Sequence, residues 1–236
     1  MLESQRLSGF LLINKPAGIT SHDVVDRLRR VTSEKRIGHS GTLDPFATGL
    51  LIVGVGRDAT KRLGELQKLG KTYRATLMLG ATSDTGDKTG TIIARHPGPD
   101  QDPIGFWPSQ NDVTAVLKKF VGDLQQIPPM YSAKKIAGKK LYELAREGKT
   151  VERKPISITI SNIELLAYKW PKLEIEVDCS SGTYIRTLGE DIGATLGCGA
   201  YVDVLERLSI GGYRLQDAWE LSKITSENWQ NHLISL

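Results

Sequence analysis

The chain has 236 residues, 39% of them hydrophobic and 25% charged, the balance of a globular protein with a sizeable core. No apolar run approaches the roughly 20 residues that span a bilayer, and the FLLIN patch near the start is too short for a secretory signal. The net charge is +4, and the two cysteines, Cys179 and Cys198, stand far apart without metal-ligand spacing, which points to reduced, buried thiols in a cytoplasmic protein.

In chain order, FLLINK (10–15) predicts a short strand and SHDVVDRLRRVT (21–32) a helix. Thr20 and Asp23 have capping-box spacing, and Val24, Val25, Leu28 and Val31 form the apolar stripe. LLIVGVG (50–56) is a continuous apolar run, typical of a buried strand, and DATKRLGELQKLG reads as a helix. TYRATLMLG (72–80) alternates, with Tyr73, Ala75, Leu77 and Leu79 on one face. Residues 81–91 read as turn throughout, and the prolines of 95–111 mark a surface connection. Ser109 and Asp112 offer a second capping box, opening a helix with Val113, Val116, Leu117 and Phe120 inward. KKLYELAREG predicts a helix ending on Gly148. ISITISNIELL and KLEIEVDCS are strand-like. A further helix follows CSSGTY, with Ile185, Leu188, Ile192 and Leu196 on one stripe, and SENWQNHL suggests a last one. Strands and helices do not alternate regularly, so the expected class is α+β.

Positive charge is concentrated. Residues 134–154 hold eight basic residues against three acids, and residues 27–36 hold five against one. Solvated helix faces account for single runs of this kind. Two such segments favour a polyanionic partner, because phosphate contacts dominate nucleic-acid affinity.

Other chemistries find little support. GVGRDA (54–59) imitates a dinucleotide fingerprint, but the first acid beyond the next strand is Asp84, 30 residues past Gly54, where the ribose-binding acid is expected about 20 residues on. There is no GxxxxGK[ST] and no GxSxG. Asp84 and Asp87 are not spaced as in a calcium loop, and the four histidines lack HxxxH or HxxH spacing. No metal and no nucleotide are expected.

Residues 36–51, RIGHSGTLDPFATGLL, place the lone carboxylate of Asp44 between Gly41 and Gly49 and beside Pro45. This composition fits a rigid loop presenting one acid at the mouth of a sheet; an ordinary Asp-Pro turn fits it as well. Two other segments carry polar groups in comparable settings: Tyr73 at a strand start, and Tyr184 and Arg186 on a glycine turn at a helix start. A carboxylate nucleophile must stay ionised in its pocket, and a guanidinium achieves that by ion pairing. Tyrosine faces suit a base lifted out of a nucleic-acid stack.

HSGTLDPFATGLL resembles the signature of the TruB-type tRNA pseudouridine synthases. Four more segments agree in collinear order: NKPAGITSHDVV, KTYRATLMLGATSDTGD, PPMYSAKKIAGKKLYELAREG and CSSGTYIRTLGEDIGATLGCGAYVDVLERL. The likeness runs from about Phe10 to Tyr213. It implies a single α+β catalytic domain over 1–213, with a mixed, mainly antiparallel sheet and a thumb-like RNA-binding insertion at about 124–152. Residues 214–236 are then a short tail without a full PUA domain.

By this resemblance Asp44 is the catalytic nucleophile, Tyr73 stacks on the target uracil and is a candidate base, and Arg186 pairs with Asp44. His39, Tyr184 and Leu205 contact the flipped nucleotide. Lys15 and Pro16 give structural support. Lys134, Lys135, Lys139, Lys140, Arg146, Arg27 and Arg30 are candidate RNA contacts. Ser40 and Ser181 depart from the family pattern, where Thr and a basic residue are common. The implied reaction is isomerisation of uridine 55 in the T-loop of tRNA, by a monomer needing no cofactor or protein partner. The alternatives are the same chemistry on another RNA, or a tRNA-binding and folding module without catalysis.

Overall fold

The computed structural model describes residues 8–95, 107–132, 135–136, 139–146, 148–149 and 151–235; at 135–136, 139–140, 142–143 and 146 it describes the backbone alone. The chain forms two compact units, Met1–Tyr73 with Glu206–Leu236, and Arg74–Leu205. The class is α+β, with a mixed, mainly antiparallel sheet as expected from the sequence.

The first unit begins with β1 (Gly9–Lys15), α1 (Ser21–Thr32), β2 (Ile37–His39), β3 (Thr48–Val55) and α2 (Arg57–Gln67). β1 pairs antiparallel with β3 from Gly9↔Val55 to Lys15↔Gly49, and β2 adds antiparallel to β3. Odd-numbered residues Leu11, Ile13, Leu51, Val53 and Val55 pack with Val24, Val25 and Leu28 of α1. Even-numbered Phe10, Leu12, Leu50 and Ile52 pack with Ala59, Leu63 and Leu66 of α2. A strand covered by a helix on each face has no polar side, which is why LLIVGV is apolar without alternation. The Thr20–Asp23 capping box is formed, and the helix spans the expected residues 21–32.

β4 (Lys71–Leu79) passes into the second unit and buries Tyr73, Ala75, Leu77 and Leu79, the face read from the alternation. There follow β5 (Ala81–Ser83), β6 (Ile92–Ala94), α3 (Gln110–Lys118), β7 (Gly122–Gln126), β8 (Lys135–Ile136), β9 (Lys139–Lys140), α4 (Leu141–Arg146), β10 (Ile156–Lys169), β11 (Lys172–Cys179) and α5 (Ile185–Thr195). β12 (Ala200–Ile210) returns the chain to the first unit, where β13 (Tyr213–Arg214) and β14 (Trp219–Glu220) complete the sheet. Hydrogen bonding runs in the order β14-β1-β3-β12-β4-β11-β10-β7, with β2 added on β3 and β13 on β12. The Ser109–Asp112 capping box and the α5 stripe of Ile185, Leu188, Ile192 and Leu196 are as expected. Both cysteines are free and buried.

Several elements differ from expectation. Residues 81–83 are not turn but pair with 92–94 in a hairpin, whose internal hydrogen bonds satisfy a polar, turn-rich sequence. α3 ends at Lys118, so Phe120 lies beyond it, and the residues after it form β7, which pairs with β10. The expected helix over 139–148 is shorter, because β9 takes its first two residues. SENWQNHL forms only a 3-10 turn, Trp229–His232. β12 was not anticipated at all. Most of the proline-rich connection lies outside the described residues. Among the described residues no helix is long and apolar enough to cross a membrane.

Candidate active site

Asp44 sits half-buried on the loop between β2 and β3, and the first unit holds the backbone of that loop at nearly every step. The Ser21 hydroxyl at the start of α1 donates to the Leu43 carbonyl at 3.2 Å and accepts from the Leu43 amide at 2.9 Å. The Ala47 amide donates to the Asp44 carbonyl at 3.1 Å, closing a turn on Pro45. The Pro45 carbonyl accepts from the Gly18 amide at 2.8 Å and from Lys15 Nζ at 3.4 Å. Both ends of the loop meet Arg207 on β12, whose Nε donates to the Leu50 carbonyl at 2.7 Å and whose Nη2 donates to the Gly41 carbonyl at 3.2 Å. Asp44 therefore stands on a tight turn that is braced from outside.

Lys15 and Arg207 are fully buried cations. Lys15 Nζ also donates to the carbonyls of Pro16 (2.8 Å) and Ile19 (2.7 Å). Burial brings Lys15 down from 10.5 to about 8; the carboxylate of Asp44 opposes the shift and the Arg207 charge adds to it. One ammonium thus joins the 16–19 turn to the Asp44 loop. His39, at the end of β2, is lowered by burial and then by the Arg207 charge, which keeps its imidazole neutral at pH 7. The Ser40 hydroxyl beside it is buried and has no hydrogen-bond partner among the described residues. Tyr73, 8% exposed, belongs to the same unit.

Arg186, Tyr184 and Leu205 belong to the second unit. Arg186, in the first turn of α5, donates to the carbonyls of Thr85 (2.8 Å) and Tyr131 (2.6 Å). It also forms an ion pair with Asp87 at 3.6 Å, both side chains being 5–6% exposed. Asp87 in turn accepts from Thr85 Oγ1 and from the amide and hydroxyl of Thr89, at 3.0, 2.9 and 2.5 Å. A buried pair of this kind holds its guanidinium in one place because every deviation leaves a charge unsolvated. Nearby Glu190 is raised by burial, against the pull of Arg186. Tyr184 precedes α5, and the Gln126 side chain brackets its backbone: the Tyr184 amide donates to Oε1 at 2.8 Å, and Nε2 donates to the Tyr184 carbonyl at 3.0 Å. Leu205 on β12 is buried.

Of the basic candidates, Arg27 and Arg30 lie exposed on α1, while Arg29 between them is engaged with Asp26 at 2.7 Å. Lys135, Lys139 and Lys140 fall on β8 and β9 and Arg146 on α4; Lys134 lies outside the described residues.

Sequence reasoning missed Arg207, Ser21, Asp87 and Gln126. Ser21 had a detectable signal, since a serine directly after a Thr-capped helix start sits where a hydroxyl can reach a neighbouring loop. Asp87 was weighed only as a metal ligand. Arg207 and Gln126 lie on strands not anticipated.

Residues 29–185 match the family described as TruB family pseudouridylate synthase (N terminal domain), and residues 186–235 match the tRNA pseudouridylate synthase B C-terminal domain. The chain is 46% identical over 219 residues to the tRNA pseudouridine synthase B of Bordetella pertussis (strain Tohama I / ATCC BAA-589 / NCTC 13251), covering 92% of this chain and 87% of that protein. It is 44% identical over 232 residues to that of Thermosipho melanesiensis (strain DSM 12029 / CIP 104789 / BI429), covering 98% and 73%. Among solved structures it resembles a chain of a Cbf5-Nop10-Gar1 complex, with TM-score 0.71 and 26% identity over 94% of this chain and 54% of that one. This chain spans about half the length of that solved chain. The two family models together run from the end of α1 to the tail, and the chain belongs to the TruB family of pseudouridylate synthases.

Proposed function

We propose that the chain converts uridine 55 in the T-loop of tRNA to pseudouridine, with Asp44 as the catalytic carboxylate. The observation that carries this reading is the braced presentation of Asp44, a single acid on a loop tied by Ser21, Lys15 and Arg207, in a chain whose curated relatives are named tRNA pseudouridine synthase B. A turn with no task at its tip has no need of two buried cations.

The reaction breaks the bond between the sugar C1′ and N1 of uracil, rotates the base and rejoins it through C5. The proton lost from C5 is balanced by one gained at N1, so the product is an isomer of the substrate. Asp44 acts by adding to C1′ or by assisting a glycal route. Arg186 pairs with Asp44 and holds it ionised. Tyr73 stacks on the uracil and serves as base, while His39, Tyr184 and Leu205 line the pocket. Extruding the base costs a few kcal/mol, offset by phosphate contacts from the 124–152 thumb and from Arg27 and Arg30. The catalytic domain covers 1–213, and one copy of the chain acts on free tRNA in the cytoplasm without a protein partner.

The test is to incubate the purified chain with an unmodified tRNA transcript and map pseudouridine by carbodiimide primer extension. A stop at position 55 supports the proposal. Tight binding without pseudouridine anywhere would leave a tRNA-folding module instead, and modification elsewhere would point to another RNA target.

A further inference from the structure

We infer that Arg207 is a positioning residue for Asp44, tying together the two ends of the loop that carries it. The inference deepens the isomerase reading and rests on it for its activity measurements. A guanidinium taken out of water is costly unless acceptors replace its hydration. Arg207 is 1% exposed, and its acceptors are the carbonyls of Gly41 and Leu50, which stand on either side of Asp44. The planar fork of a guanidinium serves these two carbonyls from two separate nitrogens, Nε and Nη2, in fixed directions, whereas a lysine in its place would have to reach both from a single nitrogen.

The backbone of Arg207 is fixed as firmly as its side chain. β12 runs parallel to the start of β3, with Arg207 opposite Gly49 and Glu206 opposite Thr48. Gly49 has φ +106°, and a Cβ there would strike the Arg207 backbone nitrogen and carbonyl. The glycine lets the two strands meet at a distance that sets the guanidinium under the loop. Lys15 completes the arrangement by holding Pro45. Two buried positive charges at one acidic loop are a poor solution for stability alone, because hydrophobic residues of similar volume do as well or better. They are well suited to holding a carboxylate in one place.

The test uses Arg207→Lys, which keeps the charge, and Arg207→Gln, which keeps one amide donor. Single-turnover rate, tRNA affinity and amide exchange of peptides covering 41–50 are measured for both. The expected result is a fall of about 100-fold in the single-turnover rate, the effect that a displacement of about 1 Å produces. tRNA Kd stays within about threefold, since Arg207 is buried and offers no charge to a phosphate. Exchange over 41–50 quickens by at least about tenfold while α1 and α2 keep their protection. Wild-type exchange and rate in both variants would overturn the inference. So would faster exchange spread evenly through α1, α2 and the loop, which marks a general structural group. If the wild-type chain forms no pseudouridine, the isomerase reading fails, and exchange at 41–50 still decides whether Arg207 ties the loop.

Discussion

Lys15 reaches across 30 positions of sequence to place its ammonium 3.4 Å from the carbonyl of Pro45, the residue that follows Asp44. Because burial lowers this lysine from 10.5 to about 8, its protonation differs between folded and unfolded chains over that window. Between those values the unfolded chain holds the proton and the folded one releases it. Stability contributed by this group is therefore lowest below about pH 8 and rises as the pH climbs to 10.5. Urea midpoints measured from about pH 7.5 to 10 should show this rising component in the wild type and lack it in Lys15→Met. Equal slopes in the two proteins would show that Lys15 is not desolvated as the structure has it.

Ser21→Ala removes both hydrogen bonds to Leu43 and leaves a buried amide and carbonyl without partners. The expected cost is about 2 kcal/mol, read as a lowered denaturation midpoint. Isomerisation should fall with tRNA affinity unchanged, because the damage is confined to the Asp44 loop. A stability change below about 0.5 kcal/mol, the usual range for surface substitutions, would contradict it.

Asp87→Asn separates a buried charge from its partner Arg186 and turns an acceptor of three hydrogen bonds partly into a donor. Removing one member of a buried pair costs about 3 kcal/mol or more, so the thermal midpoint should drop by several degrees. An unchanged midpoint would mean that the pair with Asp87 does not contribute to holding Arg186.

Reversing charge at Lys139 and Lys140 should weaken tRNA binding and flatten the dependence of affinity on salt by about two units of slope, one for each phosphate the chain no longer neutralises. Filter binding between about 50 and 200 mM salt measures this. An unchanged slope would remove the 124–152 segment from the RNA interface.

The parts of the fold legible in the sequence were those fixed by local chemistry. Capping boxes at Thr20–Asp23 and Ser109–Asp112 announce helix starts because the bonds that make them are three residues apart. The alternation of β4 is equally local. β12 was hidden because its alternation slips: Asp203 and Val204 are both outside the core between buried Val202 and Leu205, which shifts the period of two partway along the strand. With that strand went Arg207, and a charged residue reads by default as surface. The turn that carries Asp44 was legible from its glycines and proline; Ser21 and Arg207, which brace it, were not, since they meet the loop only after the chain has folded, and Lys15 was marked as support by the family resemblance alone.

Tritium release from tRNA labelled at the C5 position of its uridines reports on the chemistry assigned to Asp44 itself. Under single-turnover conditions the wild-type chain should release the label from position 55, while Asp44→Asn should release none and bind the same tRNA with wild-type affinity. Label released by Asp44→Asn at a rate near that of the wild type would contradict the role given to this carboxylate.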